Sequence, residues 1–378
     1  MANESGREQL TRRRFLGVLA MATGLGAAVP LLQACAGQQT PAPAATTAPP
    51  SGGAAATQAP ATPAPKPALK WRLAQVHPEG TDFDLRPKAM AKEVKEKTNG
   101  RIDIQVYSGG VLGDWTEAFE QVMRGALEMD LGPVSPNYDP RLNIAYYMPY
   151  LVRNIEEGKK AYAKGGYIYN IVTELLEAQG IKGLAVFPLG MAGCTLRKVP
   201  PSPGDPDVPK NMKIRVMPLK MCELTYKRLG YIPTAIPYAE AYTAIQTGIT
   251  DGQMGGPPFQ GYQFRDIQGC WIQYNDYQET LWFMLNLKLW QSLSKEEQEI
   301  LQTACETQSM QRWDYVAKED EEYRQKMKNE NKIEIIMLTD AELQKCADAI
   351  RKDVWPEMES IVGKTILDRL YADLGIKT

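Results

Sequence analysis

The chain has 378 residues, with 43 lysines and arginines against 45 aspartates and glutamates, a formal net charge of −2. That balance excludes the basic surface on which nucleic-acid binding depends. The single histidine, His77, and six cysteines without a Cys-x-x-Cys pair argue against zinc or dithiol redox chemistry and leave one imidazole for any nucleophilic triad.

The N-terminal 35 residues read as a targeting segment. Thr11-Arg12-Arg13-Arg14-Phe15-Leu16-Gly17 precedes an uncharged run from Phe15 to Leu32. A basic flank before an apolar run is the plan of a secretory signal, and adjacent arginines point to the twin-arginine route. A membrane helix would also be apolar over this length, but Gly17, Gly24, Gly26 and Pro30 interrupt the run. Leu32-Gln33-Ala34-Cys35 resembles a bacterial lipobox, with Cys35 as a diacylated mature N-terminus. Residues 36–66 are a Pro/Ala/Thr/Gly tether carrying one charge, Lys66. Such a segment buries too little to offset its ordering entropy.

Removing residues 1–34 takes away four arginines and two glutamates and leaves a net charge of −4. The 312 residues from Pro67 to Thr378 can bury a large core and are expected to split into two domains. Leu69–Val76 reads as a strand. Pro87 is placed to open a helix bearing Met90 and Val94, which Asn99-Gly100 ends. Ile102, Ile104 and Val106 alternate as a half-buried strand. Asp114 with Glu117 forms a capping box before the stripe of Trp115, Phe119, Val122 and Met123. Leu127, Met129 and Leu131 alternate again, and strands alternating with short helices predict α/β layers.

The middle repeats this grammar. Met212, Ile214 and Val216 share one strand face, with Lys213 and Arg215 on the other. A helix near Met221–Leu229 ends at Gly230. Tyr238, Tyr242 and Ile245 stripe the next helix, which closes at Gly248 before the Asp251-Gly252 turn. Further on, Ser294 with Glu297 and Thr339 with Glu342 repeat the capping box. Ser294–Lys332 is a long charged helix or helix pair, with Lys318–Lys332 as a solvated face, and Ile333, Ile335 and Met337 form a late strand. Gly363-Lys364-Thr365 imitates a phosphate-binding loop, but Met358 occupies the position of its first glycine. Cys194, Cys222, Cys270, Cys305 and Cys346 are widely spaced. One disulfide is open to them, and buried single thiols are the simpler expectation.

Three segments together resemble the solute-binding subunit of TRAP transporters, the DctP family. The first begins Ala91-Lys92-Glu93-Val94-Lys95-Glu96-Lys97-Thr98-Asn99-Gly100-Arg101-Ile102 and runs on to Met148-Pro149-Tyr150-Leu151. The second is Met212-Lys213-Ile214-Arg215-Val216. The third is Ile236-Pro237-Tyr238-Ala239-Glu240-Ala241-Tyr242, followed by Ile245-Gln246-Thr247-Gly248. The resemblance implies an α/β, two-domain periplasmic-binding-protein-like fold with a central ligand cleft and a long hinge-spanning helix. It suggests domain I over 67–190 plus 281–320 and domain II over 191–280 plus 321–378. It also implies extracytoplasmic capture of a small organic acid for a TRAP permease, without catalysis, cofactor or metal.

In such proteins the arginine of the Lys-Ile-Arg-Val strand, here Arg215, is the principal contact to the ligand. A planar guanidinium matches both oxygens of a carboxylate. Tyr238 matches a pocket-lining aromatic, although its place beside Tyr242 also suits a core position. His77 follows the first strand and lies in a cleft loop or a solvated turn. Ser135 and Asn137 occupy a comparable loop after the Leu127–Leu131 strand. The sequence departs from relatives that carry a glutamate and an asparagine after Asp-Gly-Gln. Here Asp251-Gly252-Gln253 is followed by Met254-Gly255-Gly256-Pro257-Pro258, so the amide contact is absent. Gly255 is expected to let backbone approach the ligand, giving a roomier wall suited to an acid bulkier than succinate. A second arginine some twenty residues before Arg215 is also unmatched. Alternatives are a sugar- or peptide-binding lipoprotein of an ATP-driven importer and a ligand-sensing lipoprotein; tyrosine and tryptophan suit sugar stacking.

Overall fold

The computed structural model describes residues 67–376 apart from Tyr146. The signal segment, Cys35 and the tether lie outside the described residues. The chain opens with β1 (Leu69–Ala74), α1 (Asp82–Lys97), β2 (Ile102–Tyr107), α2 (Trp115–Arg124) and β3 (Met129–Gly132). A 3-10 turn, Pro140–Ala145, leads to α3 (Ile155–Tyr162), α4 (Tyr167–Ala178) and the long β4 (Ile181–Met191). Then come β5 (Cys194–Leu196), β6 (Lys213–Val216), α5 (Lys220–Arg228), β7 (Ile232–Ala235), α6 (Tyr238–Gln246), β8 (Gly252–Met254) and α7 (Pro258–Gly261). The chain continues through β9 (Cys270–Gln273), β10 (Gln278–Asn286), α8 (Leu287–Ser292), α9 (Lys295–Asn331) and β11 (Glu334–Met337). It ends with α10 (Asp340–Asp353), α11 (Trp355–Val362) and α12 (Lys364–Asp373).

Local chemistry accounts for most of these boundaries. All three predicted capping boxes are formed, at Asp114, Ser294 and Thr339. Asn99 and Gly100 turn the chain after α1 with φ of 50° and 76°, the left-handed region that ends helices. The start of α1 differs from expectation. The helix begins at Asp82, and Pro87 lies inside it. Asp84 holds the first turn in place by accepting from the Gly80 N–H at 2.9 Å and from the Ser108 hydroxyl at 2.5 Å. Pro87 sits on the buried face with Phe83, Met90, Ala91 and Val94, where packing offsets the hydrogen bond that proline cannot donate.

Two sheets organise the body. The first has the order β2-β1-β3-β10-β4 and the second β11-β9-β5-β8-β6-β7. In the first, β1 runs parallel to β2 and β3, while β10 pairs antiparallel with β3 and β4. This is an α/β fold of two lobes. β4 leads through Ala192 and Gly193 into β5 of the second sheet, and β9 returns through 274–277 into β10 of the first. These crossing segments bind each other: the Ala192 N–H donates to the Tyr277 carbonyl and the Asn275 N–H to the Ala192 carbonyl, both at 2.9 Å.

The predicted long helix is one continuous element, α9, of 37 residues, about 55 Å at 1.5 Å per residue. Near its start Leu301, Ala304 and Cys305 pack with Met90, Val94 and Phe283 in the first-lobe core. Near its end Met327 packs with Trp271 and Ile333 of the second lobe, so the helix spans the hinge. Between these ends, Arg312 is wholly buried. It donates to the Pro188 carbonyl at 2.9 Å and pairs with Asp82 at 3.2 Å and with Glu319. The C-terminal helices cross back. The Trp355 indole donates to the Pro149 carbonyl at 2.9 Å and Arg369 pairs with Glu174 of α4 at 2.8 Å. α11 and α12 thus pack on elements of the first lobe, whereas the boundaries expected from the sequence put 321–378 with the second; their apolar faces carry Trp355, Leu367 and Leu370. The five cysteines after residue 190 are all buried and none is bonded to another.

Candidate functional site

Arg215 is the third residue of β6, between β8 and β7, with Gln253 and Thr234 beside it in register. It lies toward the C-terminal end of a parallel strand, where open α/β sheets bind ligands. Alternation puts Ile214 and Val216 into the apolar core, both fully buried, and sends Arg215 to the opposite face. The arginine is itself only 2 % exposed. Its Nε donates to the Ile236 carbonyl at 2.7 Å, and its guanidinium carbon stands 5.6 Å from the centre of the Tyr238 ring. Among the described residues no carboxylate forms an ion pair with it, and its Nη atoms are not among the sealed polar atoms lacking a partner. Burial pulls the guanidinium below its ordinary range, a cost that an enclosed anion would relieve.

Around this arginine the fold assembles groups from distant stretches. Tyr238, the first residue of α6, is 48 % exposed and donates to the Gln263 side chain at 3.1 Å. It stands at the surface and is not part of a buried stripe. Tyr147, half-buried, comes from the turn that precedes Met148-Pro149. Its hydroxyl is raised by burial, then by the charges of Cys222 and Glu279, with the positive charge of Arg215 opposing. The Tyr238 hydroxyl responds in the same way, burial first, then Glu279, against Arg215. Tyr277 closes the crossing segment and Glu279 is the second residue of β10. Both are largely buried, 5 % and 7 % exposed. Gln260 of α7 donates to both Glu279 carboxylate oxygens, at 2.8 and 3.0 Å.

The glycine pair serves another purpose than widening the wall. Gly255 and Gly256 have φ of +99° and +78°, and a Cβ on them would stand 2.7 Å from the Tyr277 hydroxyl and 2.3 Å from the Gln260 amide oxygen. The room they release is filled by the two side chains that border Glu279. The Gly256 N–H donates to the Tyr277 hydroxyl at 3.0 Å. Gly255→Ala is therefore expected to destabilise the fold by about 1–3 kcal/mol, the ordinary cost of a strained backbone. Urea unfolding measures it, and an unchanged midpoint would show that the segment relaxes freely.

The remaining sequence-predicted residues are not brought against Arg215. His77 stacks on Phe83, with centroids 4.1 Å apart and planes 20° from parallel. Phe83 in turn meets Phe259 of α7 at 6.1 Å, next to Gln260. His77 therefore belongs to a neighbouring wall. Burial, and then the charge of Arg312, pushes its imidazole down to about 4. Between the ordinary value near 6.5 and about 4 the unfolded chain takes up a proton that the folded chain refuses. This contribution to stability is present above the upper value and lost as pH falls through the lower. His77→Gln is expected to shrink the loss of melting temperature between pH 7.5 and pH 4.5; an unchanged loss would mean that other groups carry it. Ser135 is buried, and its Oγ accepts from the exposed Asn137 N–H at 3.4 Å. No hydrogen bond among the described residues joins either to Arg215, Tyr238 or Glu279.

Sequence reasoning passed over Tyr147, Tyr277, Glu279 and Gln260. Glu279 had a legible signal, a lone carboxylate at the mouth of the apolar run 281–285. Gln260 had none. Another concavity of about 580 Å³ lies near the crossing segments, bordered by Met191, Gln273, Asn275, Asp320 and Arg324. It does not include Arg215. Asp320 within it is buried and raised to about 8 by that burial, so it resembles part of the hinge packing more than an anion site.

The family described as bacterial extracellular solute-binding protein, family 7 (DctP), matches residues 73–360. The ectoine-binding periplasmic protein TeaA of Halomonas elongata is 27 % identical over 325 residues, 80 % of this chain and 89 % of that protein. The C4-dicarboxylate-binding periplasmic protein DctP of Rhodobacter capsulatus is 27 % identical over 285 residues, 73 % of this chain and 82 % of that one. Among solved structures, a TRAP periplasmic solute-binding protein from Ochrobactrum anthropi superposes with a TM-score of 0.74 at 23 % identity, covering 82 % of this chain and 95 % of its own. TeaA in its apo state gives 0.70 at 25 % identity, with 82 % and 100 % covered.

Proposed function

The chain belongs to the bacterial extracellular solute-binding proteins of family 7, and from that premise we propose that it captures a small carboxylic acid at Arg215 for delivery to a TRAP-type membrane permease. The observation that carries the reading is a buried guanidinium whose Nε is engaged by the Ile236 carbonyl and with which no carboxylate among the described residues forms an ion pair. Its Nη1/Nη2 end suits both oxygens of a carboxylate, a planar pairing that lysine cannot reproduce. Hinge-type closure about the crossing segments and α9 encloses the bound acid and removes water from the pair. The ligands named for TeaA and for the R. capsulatus protein, ectoine and C4-dicarboxylates, support a solute of similar size. Family membership favours this reading over an ATP-driven sugar or peptide importer.

Thermal-shift screening of the purified protein against organic acids, sugars and short peptides tests it. A ligand present at a hundred times its Kd stabilises the folded state by about 2.7 kcal/mol. A melting temperature raised by sugars or peptides and by no acid would overturn the proposal.

We read the N-terminal segment as a twin-arginine lipoprotein signal that leaves Cys35 acylated, with residues 36–66 tethering the body to the outer face of the membrane. Cys35→Ser is expected to release the protein from membranes or to block its processing. Mass spectrometry of the wild-type mature N-terminus without an acyl chain would exclude the anchor.

A further inference from the structure

Two carboxylates are sealed at the hinge, one beside each crossing segment. Asp276 lies in the segment that carries β9 into β10 and is 1 % exposed; Asp320 lies on α9 and is 2 % exposed. Asp320 packs on the end of β4, where a Cβ on Gly190 would stand 2.7 Å from its Oδ1. In both residues Oδ1 is enclosed and has no hydrogen-bond partner among the described residues. The titratable groups that face Asp276 are phenols and thiols: Tyr226 and Cys222 of α5, Cys194 of β5, Tyr150, and Tyr274 and Tyr277 of its own segment. None is a cation. The charges that act on Asp320 come from its own helix, Arg324, Glu319 and Arg312, while Glu156 of α3 and Asp314 border the same concavity. Arg312 is committed to Asp82 and Glu319, and Arg324 to Glu321 and the Gln273 amide oxygen. Burial pushes Asp276 up to about 7, against its own N–H and the Tyr226 hydroxyl. It pushes Asp320 up to about 8, against the two arginines and the Met191 N–H.

We propose that closure of the two lobes is linked to protons: Asp276 and Asp320 hold the crossing segments packed while protonated, and their ionisation opens the hinge to water. The arrangement described is a closed one. Arg215 of the second lobe is only 2 % exposed, and Phe83 of α1 meets Phe259 of α7 across the lobes at 6.1 Å. An enclosed carboxylate without a partner is costly, and at these two positions hydration requires the segments that join the lobes to move. The sign follows from the raised values. The closed arrangement binds protons that a hydrated hinge releases, so it is favoured at low pH and weakened as pH rises through about 7 and about 8. Each pH unit above a group's value shifts the balance by about tenfold for that group. His77 is the only histidine in the chain and is held down at about 4, so no imidazole titrates between pH 6 and pH 9. The link concerns closure and not the solute, so it stands apart from carboxylate capture at Arg215.

Spin-label distances measured by pulsed dipolar spectroscopy, with no solute present, test the proposal. β2 and β7 are the outer strands of their sheets, away from the strands that cross between lobes, so labels beside them report the largest displacement. Val111→Cys, in the turn after β2, and Ile232→Cys, at the start of β7, stand at exposed positions. In a chain that also carries Cys35→Ser, the described cysteines are buried and do not compete for label. Between pH 6 and pH 9 the distance distribution is expected to pass from a single short population to a mixture with a longer one. Asp276→Asn together with Asp320→Asn keeps both side chains neutral at every pH. That double variant is expected to hold the pH 6 distribution at pH 9, and each single variant to keep part of the shift. A melting curve shows which variants are folded. A distribution unchanged from pH 6 to pH 9 with both aspartates present overturns the proposal, and so does a shift that survives in the folded double variant. Where the double variant does not fold, an undiminished shift in both single variants overturns it. Arg215 capture is untouched by each of these results.

Discussion

Arg215→Ala is expected to abolish measurable carboxylate binding while the protein stays folded. The Nε of Arg215 is already engaged by the Ile236 carbonyl at 2.7 Å, so the side-on edge that includes Nε is taken. An acid bound there is expected to be met end-on by Nη1 and Nη2. Each charge-assisted hydrogen bond is worth about 1.5–3 kcal/mol, or roughly ten- to a hundredfold in affinity, and two are lost together. Arg215→Lys restores binding only in part, because an ammonium is a point charge without the fork. The guanidinium is unpaired by any described carboxylate, so its removal orphans no protein anion and leaves only the Ile236 carbonyl short of a donor. Folding stability should therefore fall little. Titration of both variants with the acid that the screen identifies, beside a melting curve, separates the outcomes. Unchanged affinity in folded Arg215→Ala would place the carboxylate elsewhere.

Arg312→Ala is expected to do the opposite, costing about 3–5 kcal/mol of stability, the usual result of breaking a buried pair from one side. This arginine is 0 % exposed and ties α9 to the last residues of β4, donating to the Pro188 carbonyl at 2.9 Å and reaching the Leu189 carbonyl at 3.4 Å. It also pairs with Asp82 and Glu319, and its guanidinium lies 5.3 and 5.7 Å from the Phe83 and Phe187 rings. Truncation strands Glu319 and two carbonyls, leaves Asp82 with Arg86 alone, and opens a cavity against both rings. The contacts at Pro188 and Leu189 lie four and three residues before the crossing segment at Ala192, so loosened hinge geometry should also lower ligand affinity. Equilibrium unfolding in urea is the measurement, and a loss below about 1 kcal/mol would mean that packing alone holds the helix to the strand.

The two arginines mark the limit of what sequence reading reached. Arg215 was legible because it sits in a short strand whose neighbours alternate, within a motif that resembles a known family. Arg312 was not, because an arginine in a charged helical stretch reads as solvated; only the path of β4 beneath α9 makes its face a buried one. Tyr238 shows the same limit at one position. Its spacing with Tyr242 fitted either a core stripe or a cleft wall, and its 48 % exposure, with the ring 5.6 Å from the Arg215 guanidinium, takes it out of the core. Pro87 shows that a strong local preference can yield. The Asp84 contacts to Gly80 and Ser108 start the helix earlier than proline would by itself.

Local residue pattern carried the α/β alternation, the three capping boxes, the helical character of 294–332 and the position of Arg215 on its strand, while the structure settled that 295–331 is one helix. Each depends on residues within a few places of one another, where periodicity and capping chemistry act. Only the tertiary structure decided that Tyr277, Glu279 and Gln260 gather around the glycine pair and that the charges of Arg215 and Glu279 both reach Tyr147. These residues come from the first lobe, the returning strand and α7, up to 132 positions apart in the chain. Their meeting depends on two strands crossing between lobes and on glycines whose left-handed backbone admits the Tyr277 hydroxyl and the Gln260 amide. No local pattern encodes where a returning strand enters a sheet, so a lone glutamate at its mouth becomes part of a site only once the sheet is assembled.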